Sequence, residues 1–143
     1  MSGSRRLARE YTLRGLYGWL LNQQQDRVDI GAALREDPQF RKADEAYFQQ
    51  LLHGVMDEAP NLEVKLRPCL DREVAELSPI ERGILMIGAY ELIACPDVPY
   101  RVAINEAVEL AKIYGGTDGH KYVNGVLDKL AKLMRPEEIS QRH

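Results

Sequence analysis

The chain has 143 residues, 45% of them hydrophobic and 29% charged, enough for a packed core and too apolar for a globally disordered polymer. Lys and Arg number 19 against 22 Asp and Glu, a net −3 that excludes a uniformly basic, nonspecific polyanion binder. The balance is uneven, however: residues 1–20 carry four arginines against one acid, whereas the rest of the chain is net acidic.

The opening MSGSRRLARE is charged where a signal peptide needs an apolar stretch, and no apolar run approaches the roughly 20 residues that span a bilayer. A cytoplasmic protein is therefore expected. From about Ser4 to Gln24 the spacing of Leu7, Tyr11, Leu16 and Leu20, with Leu13 and Tyr17 beside them, predicts a first amphipathic helix with Ser4 as its N-cap. Gly15 and Gly18 inside it imply close packing, since each weakens an exposed helix by roughly 1 kcal/mol. A short helix over about Asp29 to Glu36 follows.

The next helix starts near Asp44 and carries Phe48, Leu51, Leu52, Val55 and Met56 at three-four spacing. Pro60 lacks an amide donor and clashes with the carbonyl four residues back, so the helix either stops at Ala59 or kinks and continues; Leu62, Leu66 and Leu70 keep the interval and favour the kink, with an end soon after Pro68. This marks a seam between an amino-terminal lobe of about residues 1–70 and a carboxyl-terminal lobe of about residues 71–143. Ser78, Pro79 and Glu81 form a capping-box start for a helix that is apolar around much of its circumference, hence central. The CPDVP stretch breaks it. A helix from about Tyr100 to Tyr114 turns Ala103, Ile104, Ala107, Leu110 and Ala111 inward, and a last long one from near Asp118 carries Val123, Val126, Leu127, Leu130 and Met134. No stretch reads as a strand. The expected fold is all-α, a compact pair of packed helical bundles.

Catalytic and metal signals are weak. Cys69 and Cys95 lack ligand spacing and read as reduced structural thiols. His53 sits in an apolar-periodic helix and the remaining histidines are His120 and the terminal His143; no HExxH, G-x-S-x-G or phosphate loop is present. No enzyme activity, cofactor or metal is expected.

Arg5, Arg6 and Arg9 stand at three-four spacing on one edge of the first helix, with Arg14 beyond them. Their rigid guanidinium forks suit phosphate, the alternative being a solvated edge near Glu10. A second group lies in TDGHKYVNG, residues 117–125: Lys121 can reach a phosphate, Tyr122 can stack on a base, and Asn124 offers a donor and an acceptor to a base edge. Core, solvated and backbone-bonded roles remain open for these three, and Asp118 can cap the following helix or meet a partner. Beside the arginines, such a group would favour a short unpaired RNA segment over a duplex. About three phosphate contacts correspond to a log affinity against log salt slope near −2.

The blocks RRLAREYTLRGLYGW at residues 5–19, ERGILMIGAYEL at 81–92, DVPYRVAINEAVELAK at 97–112 and GGTDGHKYVNGVLDKL at 115–130 occur in an order that resembles the NusB family of transcription antitermination factors. The resemblance reaches across essentially the whole chain. It implies two helical bundles and a non-enzymatic adaptor that pairs with the small ribosomal subunit protein NusE, binds boxA RNA of ribosomal RNA leaders, and joins NusA and NusG on RNA polymerase. Residue by residue, it implies RNA contact for Arg5, Arg6, Arg9, Lys121 and Tyr122, with Asp118 nearby, and contact with the ribosomal protein for Tyr17 and Glu81. Leu7 stands where a more basic version of the motif has another arginine, and Tyr122 where a phenylalanine can occur. Two other readings are an accessory domain like those preceding the catalytic part of ribosomal RNA cytosine methyltransferases, and a helical module that binds only protein.

Overall fold

The computed structural model describes residues 2–141, so the terminal His143 lies outside the described residues. Among them every regular element is helical: α1 (Ser2–Leu21), α2 (Arg27–Arg35), α3 (Glu45–Leu66), α4 (Pro79–Ala94), α5 (Tyr100–Tyr114), α6 (Gly119–Met134) and α7 (Pro136–Ser140), with short 3-10 turns between them. The chain divides into two compact units, Met1–Asp57 and Glu58–His143.

In the first unit α1 begins at Ser2, so Ser4 lies inside the first turn instead of capping it; its carbonyl accepts the Asp44 amide at 3.0 Å. Tyr11, Leu13 and Leu16 of α1 are buried with Ile30 of α2 and Phe48, Leu51, Leu52 and Val55 of α3. Phe40, on the 3-10 turn Pro38–Lys42, joins them edge-on, 5.0 Å from the Tyr11 ring and 5.1 Å from Phe48. Such geometry sets the positive edge of one ring against the negative face of another. Gly15 is needed here: a Cβ would stand 3.0 Å from Leu52 and 3.2 Å from Ile30 and Leu34. Gly18 has no such neighbour; only the Gln25 side chain comes within 3.6 Å. Asp26 caps α2, its carboxylate accepting the Val28 amide at 2.8 Å, which starts that helix two residues earlier than expected.

Helix α3 passes through Pro60 and continues to Leu66, as the leucine spacing requires. The ring of Pro60 faces solvent while Leu62 and Leu66 are buried, so the lost amide bond is offset by burial on the opposite side. In the second unit α4 is the hub. Ser78 Oγ accepts the Glu81 amide at 3.1 Å and the Glu81 carboxylate accepts the Ser78 amide at 3.2 Å, the reciprocal box expected from S-x-x-E. Residues 83–89 of α4 are all buried, and α5 and α6 pack on it and on each other. Gly88 permits the approach of α6, since a Cβ there would fall 2.5 Å from a Leu127 methyl.

One tie was not visible in the pattern. The Arg135 guanidinium donates to the carbonyls of Leu92 (2.8 Å), Glu91 (3.1 Å), Cys95 (2.9 Å) and Val98 (3.0 Å), closing the carboxyl end of α4. Glu138 pairs with Arg135 at 2.5 Å and accepts the Tyr100 amide at 2.9 Å, supplying the start of α5, where Pro99 has no side-chain cap. Terminal helix groups without partners in their own helix are thus satisfied by the segment that follows α6.

Candidate nucleic-acid interface

The arginine edge of α1 is held by the start of α3. Arg5 lies 4.0 Å from the Asp44 carboxylate with its guanidinium 4.1 Å over the Tyr47 ring. Arg9 differs from the sequence expectation: it is only 3% exposed, 5.5 Å from the same ring, and packs beneath the edge. Arg6 is exposed, and Arg14 pairs with Asp37 at 3.2 Å. Asp37 is held below the usual carboxylate range, chiefly because it accepts the Gln39 amide, with Tyr11 and Arg14 adding hydrogen bonds. The like charges therefore coexist because Asp44, Tyr47 and Asp37 share them. The signal in the sequence was DEAY at residues 44–47, an acid and an aromatic three apart at a helix start.

The second group sits where α5 hands over to α6. Asp118 has φ 65°, the one left-handed non-glycine residue described, a conformation Asp tolerates better than most. It occupies the N-cap position of α6 without a side-chain capping bond; its carboxylate instead meets Lys121 Nζ at 3.3 Å. The capping role expected for its side chain is thus replaced by an exposed ion pair. The Lys121 side chain is 73% exposed, and Asn124 also faces solvent, which places neither in the core.

Tyr122 is half-buried, between the core and platform readings. Its hydroxyl is sealed from solvent without a hydrogen bond of good geometry, beside the Asp71 carboxylate, and burial pushes its pKa up. The ring is covered by the Arg72 guanidinium at 4.2 Å. A cavity of about 160 Å³ adjoins the ring, lined by Cys69, Asp71, Lys121 and Lys129 among others. Cys69 and Cys95 are buried free thiols, and the Cys69 thiol is pushed up by burial. Among the described residues no cluster of three or more His, Cys, Asp or Glu could hold a metal ion, and no helix is long and apolar enough to cross a membrane.

Of the two residues assigned to a protein partner, Tyr17 is 41% exposed on α1, one turn from the exposed Leu21. It lies outside the core of its unit, although its spacing alone put it on the apolar face. Glu81 is half-buried and occupied by the capping box.

The NusB family matches residues 6–132. A transcription antitermination protein NusB of Thiobacillus denitrificans is 63% identical over 97% of this chain and 95% of its own length, and one of Ralstonia nicotianae is 55% identical over 97% and 89%. The chain belongs to the NusB family. Among solved structures, T. maritima NusB superposes with a TM-score of 0.80 at 27% identity, covering 95% of this chain and 96% of that one. A structure of the antitermination factors NusB and NusE in complex with dsRNA has a chain that superposes with a TM-score of 0.81 at 24% identity, covering 93% and 99%. Three of the NusB-like blocks read from the sequence, on α4, on α5 and at the α5–α6 turn with Tyr122, lie within the matched span, and the first, residues 5–19 on α1, falls within it from Arg6 onward.

Proposed function

We propose that this chain is a transcription antitermination adaptor that does no covalent chemistry. It binds boxA-type single-stranded RNA from ribosomal RNA leaders together with NusE, and links that RNA to RNA polymerase in an assembly with NusA and NusG. The observation that carries this reading is the near-full-length identity, up to 63%, to proteins named for transcription antitermination. RNA and NusE enter through the structural relative described as a complex with both.

In this reading Arg5 and Arg6 hold phosphates from α1, and Arg9 sets their height from beneath. On the second unit Lys121 supplies a flexible cation, Tyr122 an aromatic surface and Asn124 base-edge hydrogen bonds, while Asp118 aims Lys121 by their ion pair. Tyr17 and Glu81 engage NusE. Each RNA contact alone is weak. Joining a second RNA-binding protein raises affinity through effective concentration without any new contact.

The test is a titration of labelled boxA-like single strand, a scrambled strand and a boxA duplex, each with the protein alone and with NusE. Preference for the boxA single strand, tightened by NusE, is expected. Flat binding in both settings overturns the reading; preference for the duplex overturns its single-stranded part.

A further inference from the structure

Arg72 and Asp71 lie outside every motif that marked the RNA site, yet they stand against its aromatic. Asp71 holds Arg72 through both carboxylate oxygens, at 2.8 Å to Nε and 3.5 Å to an Nη. The held guanidinium lies over the Tyr122 ring at 4.2 Å, while the side chain stays 38% exposed. A planar cation held by two donors along one edge, with one face on a ring and part of its surface in solvent, is a built layer.

The two residues sit on the bend between the 3-10 turns Arg67–Cys69 and Val74–Glu76, and the first of those turns packs on α6. Concave surfaces lie on both sides: the cavity lined by Lys121 and Lys129, and another of about 360 Å³ lined by Arg67, Arg72 and Glu73 among others. Asp71 lines both, and Arg72 lines the second.

We propose that Arg72 is a further RNA-binding residue: an unpaired base stacks on the outer face of its guanidinium, which Asp71 and Tyr122 hold flat. The inference rests on the RNA reading above and deepens it, naming the surface the base meets. Guanidinium planes stack on exposed bases as aromatic rings do, and the positive charge favours the electron-rich face of the base. The arrangement also gives Tyr122 a defined part. Its ring supports the guanidinium from below, and its hydroxyl is buried where no base edge can reach it. Lys121, one residue away on α6 and well exposed, is placed to meet the adjoining phosphate.

A solely structural Arg72, clamping the 70–73 bend to α6, would affect folding and not RNA. Arg72→Lys separates the two roles, because it keeps the charge and loses the plane and the two-donor tie to Asp71. Binding of labelled boxA-like single strand to the full chain with NusE is measured at fixed salt, beside thermal melting. Arg72→Lys is expected to weaken binding about tenfold with the salt slope unchanged. In the unaltered, ¹⁵N-labelled protein, the Arg72 Nε–H resonance is expected to move upfield on RNA addition, from the ring current of the base. That measurement decides the matter if the variant melts lower. An unchanged affinity in Arg72→Lys, or an Arg72 resonance that stays in place while wild-type binding is intact, overturns this inference and leaves the proposed function standing. Absence of wild-type binding overturns the proposed function itself.

Discussion

The two basic groups of this molecule are built on opposite plans. On α1 the cations are concentrated in the sequence and shared in the fold: Arg5 with Asp44 and Tyr47, Arg14 with Asp37, Arg9 buried. At the start of α6 a single lysine carries the charge, yet it is 73% exposed beside a half-buried tyrosine that carries Arg72. A count of arginines therefore overstates what α1 presents to solvent, and a count around residue 120 understates what α6 presents, because Arg72 arrives from a distant segment. Density of charge along a chain measures how much neutralisation the fold must supply as much as it measures affinity for an anion.

The sharpest way to break this contrast is Tyr122→Ala. Removing the ring takes away the support under Arg72, and RNA binding with NusE should weaken by about 1–3 kcal/mol in a filter or anisotropy titration. Tyr122→Phe is the companion: it keeps the ring and deletes a buried hydroxyl without a good partner, so it should bind as the parent does and melt no lower. A binding loss in the phenylalanine variant equal to that of the alanine variant would mean that the hydroxyl, not the ring, carries the contact.

Next in size is Arg9→Ala. Its burial under Tyr47 makes it a packing residue, so chemical denaturation should show about 1–2 kcal/mol of lost stability. Arg6→Ala on the exposed side of the same helix should leave stability within about 0.5 kcal/mol. It should weaken RNA binding severalfold and shrink the salt slope by about 0.7, the share of one phosphate on a single strand. If Arg9→Ala changes RNA binding at constant stability, the division of labour within the edge is misdrawn. Glu81→Lys should weaken NusE binding more than RNA binding by the chain alone, whereas Glu81→Gln can keep the capping box and isolates the charge. Equal losses toward both partners in Glu81→Lys would contradict separate surfaces.

The smallest effect concerns acid. Asp37 and Asp71 have carboxyl pKa values lowered in the fold, Asp37 chiefly by the Gln39 amide and Asp71 chiefly by Arg72. Each contribution is fully present above the ordinary carboxylate value of about 3.9 and is lost as pH falls below it through the lowered folded value. Both carboxyls stay ionised well below pH 5, so denaturation midpoints should differ little between pH 7 and pH 5 and should fall below about pH 4. A midpoint that drops already between pH 7 and pH 5 would point to other groups.

Most of the helical plan was legible because it depends on local rules. The S-x-x-E box at residues 78–81, the inward alanine-rich stripe of α5 and the leucines that carry α3 past Pro60 each require only neighbours within two turns. The misses are long-range or conformational. Arg135 closes α4 across more than 35 residues of sequence, and Arg72 meets Tyr122 across 50, so no periodic pattern could announce either. Asp118 looked like a cap because of its place before α6; its left-handed backbone turns the carboxylate to Lys121 instead. Arg9 looked like its neighbours because helical spacing reports an angle around an axis, and not what the next helix brings against it.

The central claim is that RNA meets this protein at the exposed part of the α1 edge and at the α6 platform. Photocrosslinking answers it most directly: boxA-like RNA with photoactivatable uridines, bound to the full chain and NusE, followed by mass-spectrometric mapping of the attached peptides. Adducts confined to residues 5–6, 71–72 and 118–124 are the expected result. Strong, sequence-dependent adducts elsewhere in this chain, with those segments unmarked, would contradict it.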